Sequence, residues 1–411
     1  MNFEFFIAKR LISAKKYKSS ISAPIIKIAI AAIAIGVIMM LVSFATGLGL
    51  QVKIRQKIAA FNGHILIESY DNNSSEVSLM PVSKKQDFYP KFNNISGINH
   101  VQAVATKAGI IRTPTDFEGV IVKGVGSDFE WKNFKDFLVA GELPDFSGKL
   151  NEDVLISQYL ANRLGFKVGD KVVTYFPREN FNKNPLLRVF KVKGIYNSDF
   201  QEFDRLYMLA DIRHIQKLNN WNEDQVGGFE VFIDDFNKLD EKGGEVYENT
   251  DSFLDVQTIK TKYSSIFEWL SLFDFNIALI IGIMILVAGI NMITALLVLI
   301  LERTQMIGIL KALGSKDWSI RKIFLYNASY LILLGLFWGN LIGLGLLFLQ
   351  KYFKLFPLNP ETYYVSNVPV YIGWEYILAV NLGTLLLCLL MLLVPSIIIS
   401  RISPVKAMKF D

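Results

Sequence analysis

The sequence predicts a membrane α-helical protein: four transmembrane helices, with a large α+β extracytoplasmic domain between helices 1 and 2. Three observations carry that expectation. Runs 24–50, 274–301, 323–349 and 375–400 are apolar, have no charge at their centres, and exceed the roughly 20 residues that a ~30 Å bilayer core requires. The interval 51–273 has the texture of a folded polar domain. Lys and Arg crowd the remaining short flanks. Composition agrees: 411 residues are 52% apolar and 20% charged, against about 45–50% and about 25% in soluble domains.

Each membrane element follows in order. The first run is too long for the 7–15-residue apolar region of a cleaved signal peptide, and Lys27 near its end can snorkel to the headgroups. The flank 1–23 holds Lys9, Arg10, Lys15, Lys16 and Lys18; 302–322 holds Arg303, Lys311, Lys316, Arg321 and Lys322; 401–411 holds Arg401, Lys406 and Lys409. The positive-inside rule places these three segments in the cytoplasm. The segments 51–273 and 350–374 then lie outside, with Trp374, Tyr376, Tyr363 and Tyr364 at the outer interface. The formal charge of +5 resolves into −5 over 51–274 and +10 elsewhere, which marks orientation and removes the case for nucleic acid.

Within the outer domain, 64–68, 101–106, 119–125, 154–157, 171–176, 187–196 and 228–233 read as strands, being short, β-branched or aromatic and bounded by turn residues. Helices are expected over 158–164, ended by Gly165, and over 211–218, begun on Asp211. The polar stretch 71–85, with Asn72, Asn73, Ser74 and Ser75, reads as a surface loop. Both ends of the domain read as amphipathic helix. Ile54, Ile58 and Phe61 form one apolar stripe after the first span; Val256, Ile259, Tyr263, Ile266, Phe267, Leu270 and Phe273 form another before the second. These helices are either stalks that carry membrane movement outward or helices packed on their own domain.

No catalytic constellation emerges. A phosphate-binding Gly-x-x-x-x-Gly-Lys-Ser/Thr loop, a Gly-x-Ser-x-Gly elbow and a His-Glu-x-x-His helix are all missing, and one cysteine, Cys388, with three histidines leaves no metal centre. The expectation is a chain that is not an enzyme and holds no cofactor. Asn291, Asn340 and Asn381 are polar amides within the apolar runs and read chiefly as interhelix hydrogen bonds; no acidic relay suggests a pump. Gly335, Gly339 and Gly343 recur every four residues as a ridge for close helix packing.

The cytoplasmic segment 302–314 is the most specific. Met306, Ile309, Leu310 and Leu313 read as one face of a short helix, Gly314 as its stop, and Ser315 as the cap of the next helix. Such a helix either offers apolar knobs to a cytoplasmic partner or lies on the membrane surface.

This run, Glu302-Arg303-Thr304-Gln305-Met306-Ile307-Gly308-Ile309-Leu310-Lys311-Ala312-Leu313-Gly314, resembles the E-R-T-R-E-I-G-I-L-K-A-L-G-A signature of the FtsX/MacB-type ABC permeases, with Gln305-Met306 replacing Arg-Glu. Further stretches resemble the lipoprotein-releasing branch, LolC and LolE: Phe6-Ile7-Ala8-Lys9-Arg10-Leu11, Phe61-Asn62-Gly63-His64-Ile65, Asn291-Met292-Ile293-Thr294-Ala295-Leu296, Asn359-Pro360-Glu361-Thr362-Tyr363-Tyr364 and Pro404-Val405-Lys406-Ala407-Met408. The resemblance implies an inner-membrane permease paired with a second copy or paralogue and a cytoplasmic ABC ATPase dimer, which binds the ATP and Mg. The implied substrate is an acylated lipoprotein passed to a periplasmic carrier. Glu302, Arg303, Met306, Ile307, Gly308, Ile309, Leu310, Lys311, Leu313 and Gly314 would couple to the ATPase; Ile54, Ile58, Phe61, Ile259, Tyr263, Ile266, Phe267 and Leu270 would form the stalks. The loop after 171–176 occupies the place of the LolC carrier hook, with Phe176, Pro177, Arg178, Phe181 and Pro185 as its contacts, or is a plain hairpin loop. Export of a peptide or drug and activation of a cell-wall hydrolase are the alternative functions.

Overall fold

A computed structural model describes residues 3–13, 22–72, 75–178 and 184–402. Lys15, Lys16, Lys18, Asn73, Ser74, Phe181, Lys406, Lys409 and the 404–408 motif lie outside the described residues.

In chain order the elements are α1 (Phe3–Ser13), α2 (Ser22–Asn62), β1 (Ile65–Ser69), β2 (Val82–Ser83), β3 (Ile98–Arg112), β4 (Phe117–Val125), β5 (Leu138–Gly141), β6 (Asp153–Ser157), α3 (Gln158–Leu164), β7 (Lys171–Phe176) and β8 (Leu186–Tyr196). Then come α4 (Gln201–Leu206), β9 (Tyr207–Asp211), α5 (Ile212–Asn219), β10 (Gln225–Val226), β11 (Gly228–Ile233), α6 (Leu239–Glu248), β12 (Leu254–Thr258) and α7 (Ile259–Lys262). The chain finishes with α8 (Ser264–Glu302), α9 (Thr304–Ala312), α10 (Asp317–Phe353), α11 (Pro360–Tyr363), α12 (Trp374–Ser396) and α13 (Ile398–Arg401). Two compact units result: residues 1–51, 269–357 and 367–411 form one, and 52–268 with 358–366 the other.

The helical unit contains the four stretches long and apolar enough to cross a membrane, Pro24–Asn62, Ser264–Glu302, Asp317–Phe353 and Trp374–Arg401. The first three outrun the apolar stretches because the helices continue into polar sequence. Where they pack, the glycine ridge sets the distance. A Cβ on Gly335 would lie 2.7 Å from Ile33 Cβ, and one on Gly339 2.7 Å from Val37 Cβ and 3.0 Å from the Ala34 carbonyl oxygen, so α10 meets α2 nearly backbone to backbone. Asn340 and Asn381 exchange side-chain hydrogen bonds of 2.6 and 3.0 Å between α10 and α12. Asn291 instead donates to the Val287 carbonyl of its own helix, which corrects the interhelix reading for that residue. At the end of the span, Gln51 Nε2 donates to Asp274 Oδ1 at 2.8 Å. The terminal α1 lies along α10, with Glu4 paired to Lys322 at 3.9 Å and Phe5 edge-on to Tyr326.

The second unit is built on a mixed sheet ordered β12-β1-β11-β3-β4-β9-β6-β8-β5, with β7 joining β3 to β8. The fifteen-residue β3 is the organiser. Its first half pairs with β11, its second half with β4, and Ile110 and Ile111 pair with Tyr175 and Thr174 of β7. Strands β3, β4, β9, β6, β8 and β7 therefore close into a ring, in which β4–β9 and β6–β8 are parallel and the other pairs antiparallel. Strands β11, β1 and β12 extend from it. The chain comes in through β1 and leaves through β12, and these two are paired neighbours, Ile65 opposite Thr258.

Two local expectations fail for identifiable reasons. Val256 belongs to β12, opposite Ile67, and not to a helical face; Thr258 separates strand from helix by capping α7 with its hydroxyl. The stretch 71–85 is more than a surface loop. Asn72 is buried and its side-chain oxygen accepts from the backbone N–H groups of Leu79 and Met80, while Val82–Ser83 pairs with β10.

Candidate functional site

The turn from α8 into α10 holds α9 by its two ends. Arg303 leaves the α8 helical path at φ −107°, ψ 19°, and the Thr304 hydroxyl donates to the Leu301 carbonyl at 2.7 Å. At the other end Gly314 adopts φ +86°, its N–H donates to Lys311 O and the Ser315 N–H to Leu310 O, both at 3.0 Å. That paired arrangement is a Schellman stop, which requires the left-handed conformation a glycine enters cheaply. Lys316, without a side-chain cap bond, begins α10, so the capping role expected of Ser315 is not taken.

Burial also redraws the face. Ile307 is fully buried in a cluster with Leu299, Ile300, Ile320, Phe324 and Leu392, and Met306 and Leu310 pack against it. Ile309 and Leu313 are 47% and 78% exposed. Four residues expected on one face thus divide: Met306 and Leu310 face the helical core, Ile309 and Leu313 face away. Gly308 is buried. Lys311 anchors the helix: its Nζ reaches Asp317 at 3.0 Å and donates to the Ser400 and Ile402 carbonyls at 3.1 Å each. Arg321 adds a hydrogen bond to the Ser400 hydroxyl. Lys311 thus satisfies carbonyls at the end of α13, as cations near helix C-termini do, while Arg321 binds a side chain there. Glu302 and Arg303 occupy the α8–α9 junction.

In the sheet unit, Ile54, Ile58, Phe61 and Ile259 are essentially inaccessible, and Ile266 is buried. Phe61, in the last turn of α2, enters a ring cluster with Phe203 at 4.6 Å, Phe134 at 4.8 Å and Tyr196 at 5.7 Å. Tyr263 donates to Asn62 Oδ1 at 3.1 Å and lies edge-on to Phe203; Phe267 stacks on Phe236, which also meets the Arg55 guanidinium and the His64 ring. These residues pack on their own domain. Leu270 is buried in the helical unit.

Sequence reasoning missed the group that holds the end of α2. Lys123 of β4 and Glu230 of β11, each about 2% exposed, form an ion pair, and Lys123 also donates to the Phe61 carbonyl. Gln102, directly opposite Glu230 in the ladder, donates to its other oxygen at 2.8 Å. A signal existed: Glu230 is the only charge in β11, and Lys123 the only charge in the apolar stretch 119–125.

Of the suggested carrier contacts, Phe176 is buried at the end of β7 opposite Leu186, so it belongs to the strand and not to a hook. Pro177, Arg178 and Pro185 are exposed in the β7–β8 connection. Tyr364, expected among interfacial rings, stacks on Phe200.

Residues 28–235, just over half of the chain, match the MacB-like periplasmic core domain. The chain belongs to the MacB-like family. Residues 278–404 of this MacB-like chain match the FtsX-like permease C-terminal region, which contains α9. Curated relatives resemble it end to end. It is 22% identical to the lipoprotein-releasing system transmembrane protein LolC of Neisseria meningitidis over 100% of both chains, and 22% identical to LolE of Haemophilus influenzae over 99% of both. Among solved structures, the extracellular domain of the ABC-type transporter YknZ aligns with 47% of this chain and 99% of its own, at 15% identity and a TM-score of 0.32.

Proposed function

We propose that this chain is the permease subunit of an ABC transporter that extracts lipoproteins from the cytoplasmic membrane for transfer to the outer membrane. In this reading both termini and α9 are cytoplasmic and the sheet unit is periplasmic. The domain limits are those of the sequence: 1–23, 24–50, 51–273, 274–301, 302–322, 323–349, 350–374, 375–400 and 401–411. The chain is not itself an enzyme. A separate ATPase dimer binds ATP and Mg, a second permease copy or paralogue completes the membrane part, and the β7–β8 connection is offered to a periplasmic carrier.

The observation that carries the reading is α9. A helix bound to the core by Ile307, and tied to α13 through Lys311, presents Ile309 and Leu313 outward. Polar surroundings disfavour two such side chains, each worth about 1.5–3 kcal/mol on full burial, and a socket on an ATPase covers them. Movement of that socket would displace α9 and, through Lys311, the end of α12–α13. Peptide export and hydrolase activation use the same parts, but relatives carrying the lipoprotein-releasing name over the full length favour release.

The test replaces Ile309 or Leu313 by Asp in the full transporter reconstituted in proteoliposomes, with release of acylated lipoprotein and ATP hydrolysis measured together. Release falls by at least about tenfold on the loss of one buried knob, while the variant inserts normally because neither side chain is in the core. Unchanged release by both variants would overturn the reading.

A further inference from the structure

Segment 358–366 is covalently continuous with α10 and α12 yet folds with the sheet unit. It closes on itself, the Leu358 N–H donating to the Ser366 carbonyl at 2.9 Å. Tyr364 then turns into the left-handed region at φ 57°, so that its carbonyl accepts from Lys57 Nζ at 2.9 Å and its ring stacks on Phe200 at 4.6 Å. The Ser366 N–H donates to Asp199 Oδ2 at 3.3 Å, and the same oxygen lies 3.4 Å from Lys57 Nζ. Asp199 is likewise left-handed, at φ 56°. The Tyr364 stack continues inward: Phe200 lies 4.5 Å from Phe203, and Phe203 4.6 Å from Phe61 at the end of α2.

Lys57 is only 7% exposed. A buried ammonium is costly unless paired and hydrogen-bonded, and two non-glycine residues in left-handed backbone persist only where surrounding contacts over-determine them. Here both partners come from segments remote in sequence, so the ammonium is satisfied only while 358–366 and the Asp199 turn are both seated on α2.

We infer that Lys57, Asp199 and Tyr364 form a clip that seats segment 358–366 on α2, and that the three act as positioning residues in the release cycle. The inference rests on the transport reading above. It supplies a second route for force: from α9 through Lys311 to α13 and α12, then through 358–366 to the last turns of α2.

Two measurements test it on the full chain. In nanodiscs, amide hydrogen exchange of peptides covering 358–366 quickens about tenfold in Lys57→Met and Asp199→Asn, as local opening loses its restraint, and stays near wild type in Lys57→Arg. In the reconstituted transporter, lipoprotein released per ATP falls about fivefold in Lys57→Met, an ordinary coupling magnitude, and Lys57→Arg restores it. Should Lys57→Met fail to insert, Tyr364→Ala removes the stack and tests the same loss. Unchanged exchange overturns the clip; quicker exchange with an unchanged release-to-ATP ratio overturns its role in coupling. A wild-type complex that hydrolyses ATP without releasing lipoprotein fails the transport reading instead, and the exchange measurement still decides the clip.

Discussion

Replacing Lys123 with Met isolates the anchor of α2. The side chain is about 2% exposed, as is Glu230, and its ammonium serves both that carboxylate and the Phe61 carbonyl. Met fills similar volume, so little packing is lost. What remains is a buried carboxylate whose named partner is Gln102. Breaking a buried pair from one side costs about 3–5 kcal/mol, whereas replacing both charges by apolar groups is often neutral. Lys123→Met should therefore lose about 3–5 kcal/mol, and Lys123→Met with Glu230→Met should recover most of it. Native-state hydrogen exchange of peptides over 119–125 and 228–233 in the full chain reads this directly, since each 1.4 kcal/mol is about tenfold in opening equilibrium. A single variant costing less than about 1 kcal/mol, or a double variant no better than the single, would refute the claim that this pair is a coupled, desolvated unit.

Two further outcomes follow from geometry. Gly339→Val should cost about 1–3 kcal/mol or more by forcing α10 from α2, because the new Cβ meets Val37 and the Ala34 backbone, whereas Gly345→Ala, which faces open space, should leave thermal stability in detergent unchanged. Burial pushes the Asp204 carboxyl up to about 6, even though Ser198 hydrogen bonds pull it down. A raised acid keeps in the folded state a proton that the unfolded state has shed, so its contribution to stability is present at low pH and is lost as pH rises from about 4 to about 6. Asp204→Asn retains an acceptor for Ser198 and should reduce the pH dependence in that window by an amount on the order of 2–3 kcal/mol, seen as a smaller drop in unfolding midpoint between pH 4 and 8 than in the wild type; the remainder comes from groups such as Glu68, whose carboxyl burial also raises to about 6.

The sequence carried most of the fold where a pattern is local. Strands such as 119–125 and 228–233 were legible because β-branched runs end at turn residues, and the left-handed conformation of Gly165 fits the stop expected there. Strand β12 was not, since Val256 lies at helical spacing from Ile259 and Tyr263, and only the Thr258 cap divides them. Closure of the sheet through β7 depends on pairing between remote segments, which no local pattern encodes. The same limit applies to Lys123 and Glu230: each strand announces a charge needing a partner, but the two stand 107 residues apart. On α9, spacing identified an apolar helix but not which stripe is outward, because Ile307 competes with Leu313 for the core and wins. Lys57 offered no signal at all, since its neighbours Lys53 and Arg55 read equally well as solvated charges.

The pairing of β1 with β12 makes the sheet unit a cassette. Its first and last strands are zipped side by side, Ile65 to Thr258 through Ser69 to Leu254, and the Ile259 N–H donates to the His64 carbonyl at 3.0 Å. A module whose two ends meet needs no long connection to be spliced between two helices, and its contents can be exchanged without altering the spacing of what carries it. Shearing the ends past one another must strip a whole ladder of hydrogen bonds, and β1 is held on its other edge by a second ladder to β11. Entry and exit therefore stay at one fixed separation, as the two legs of a staple do.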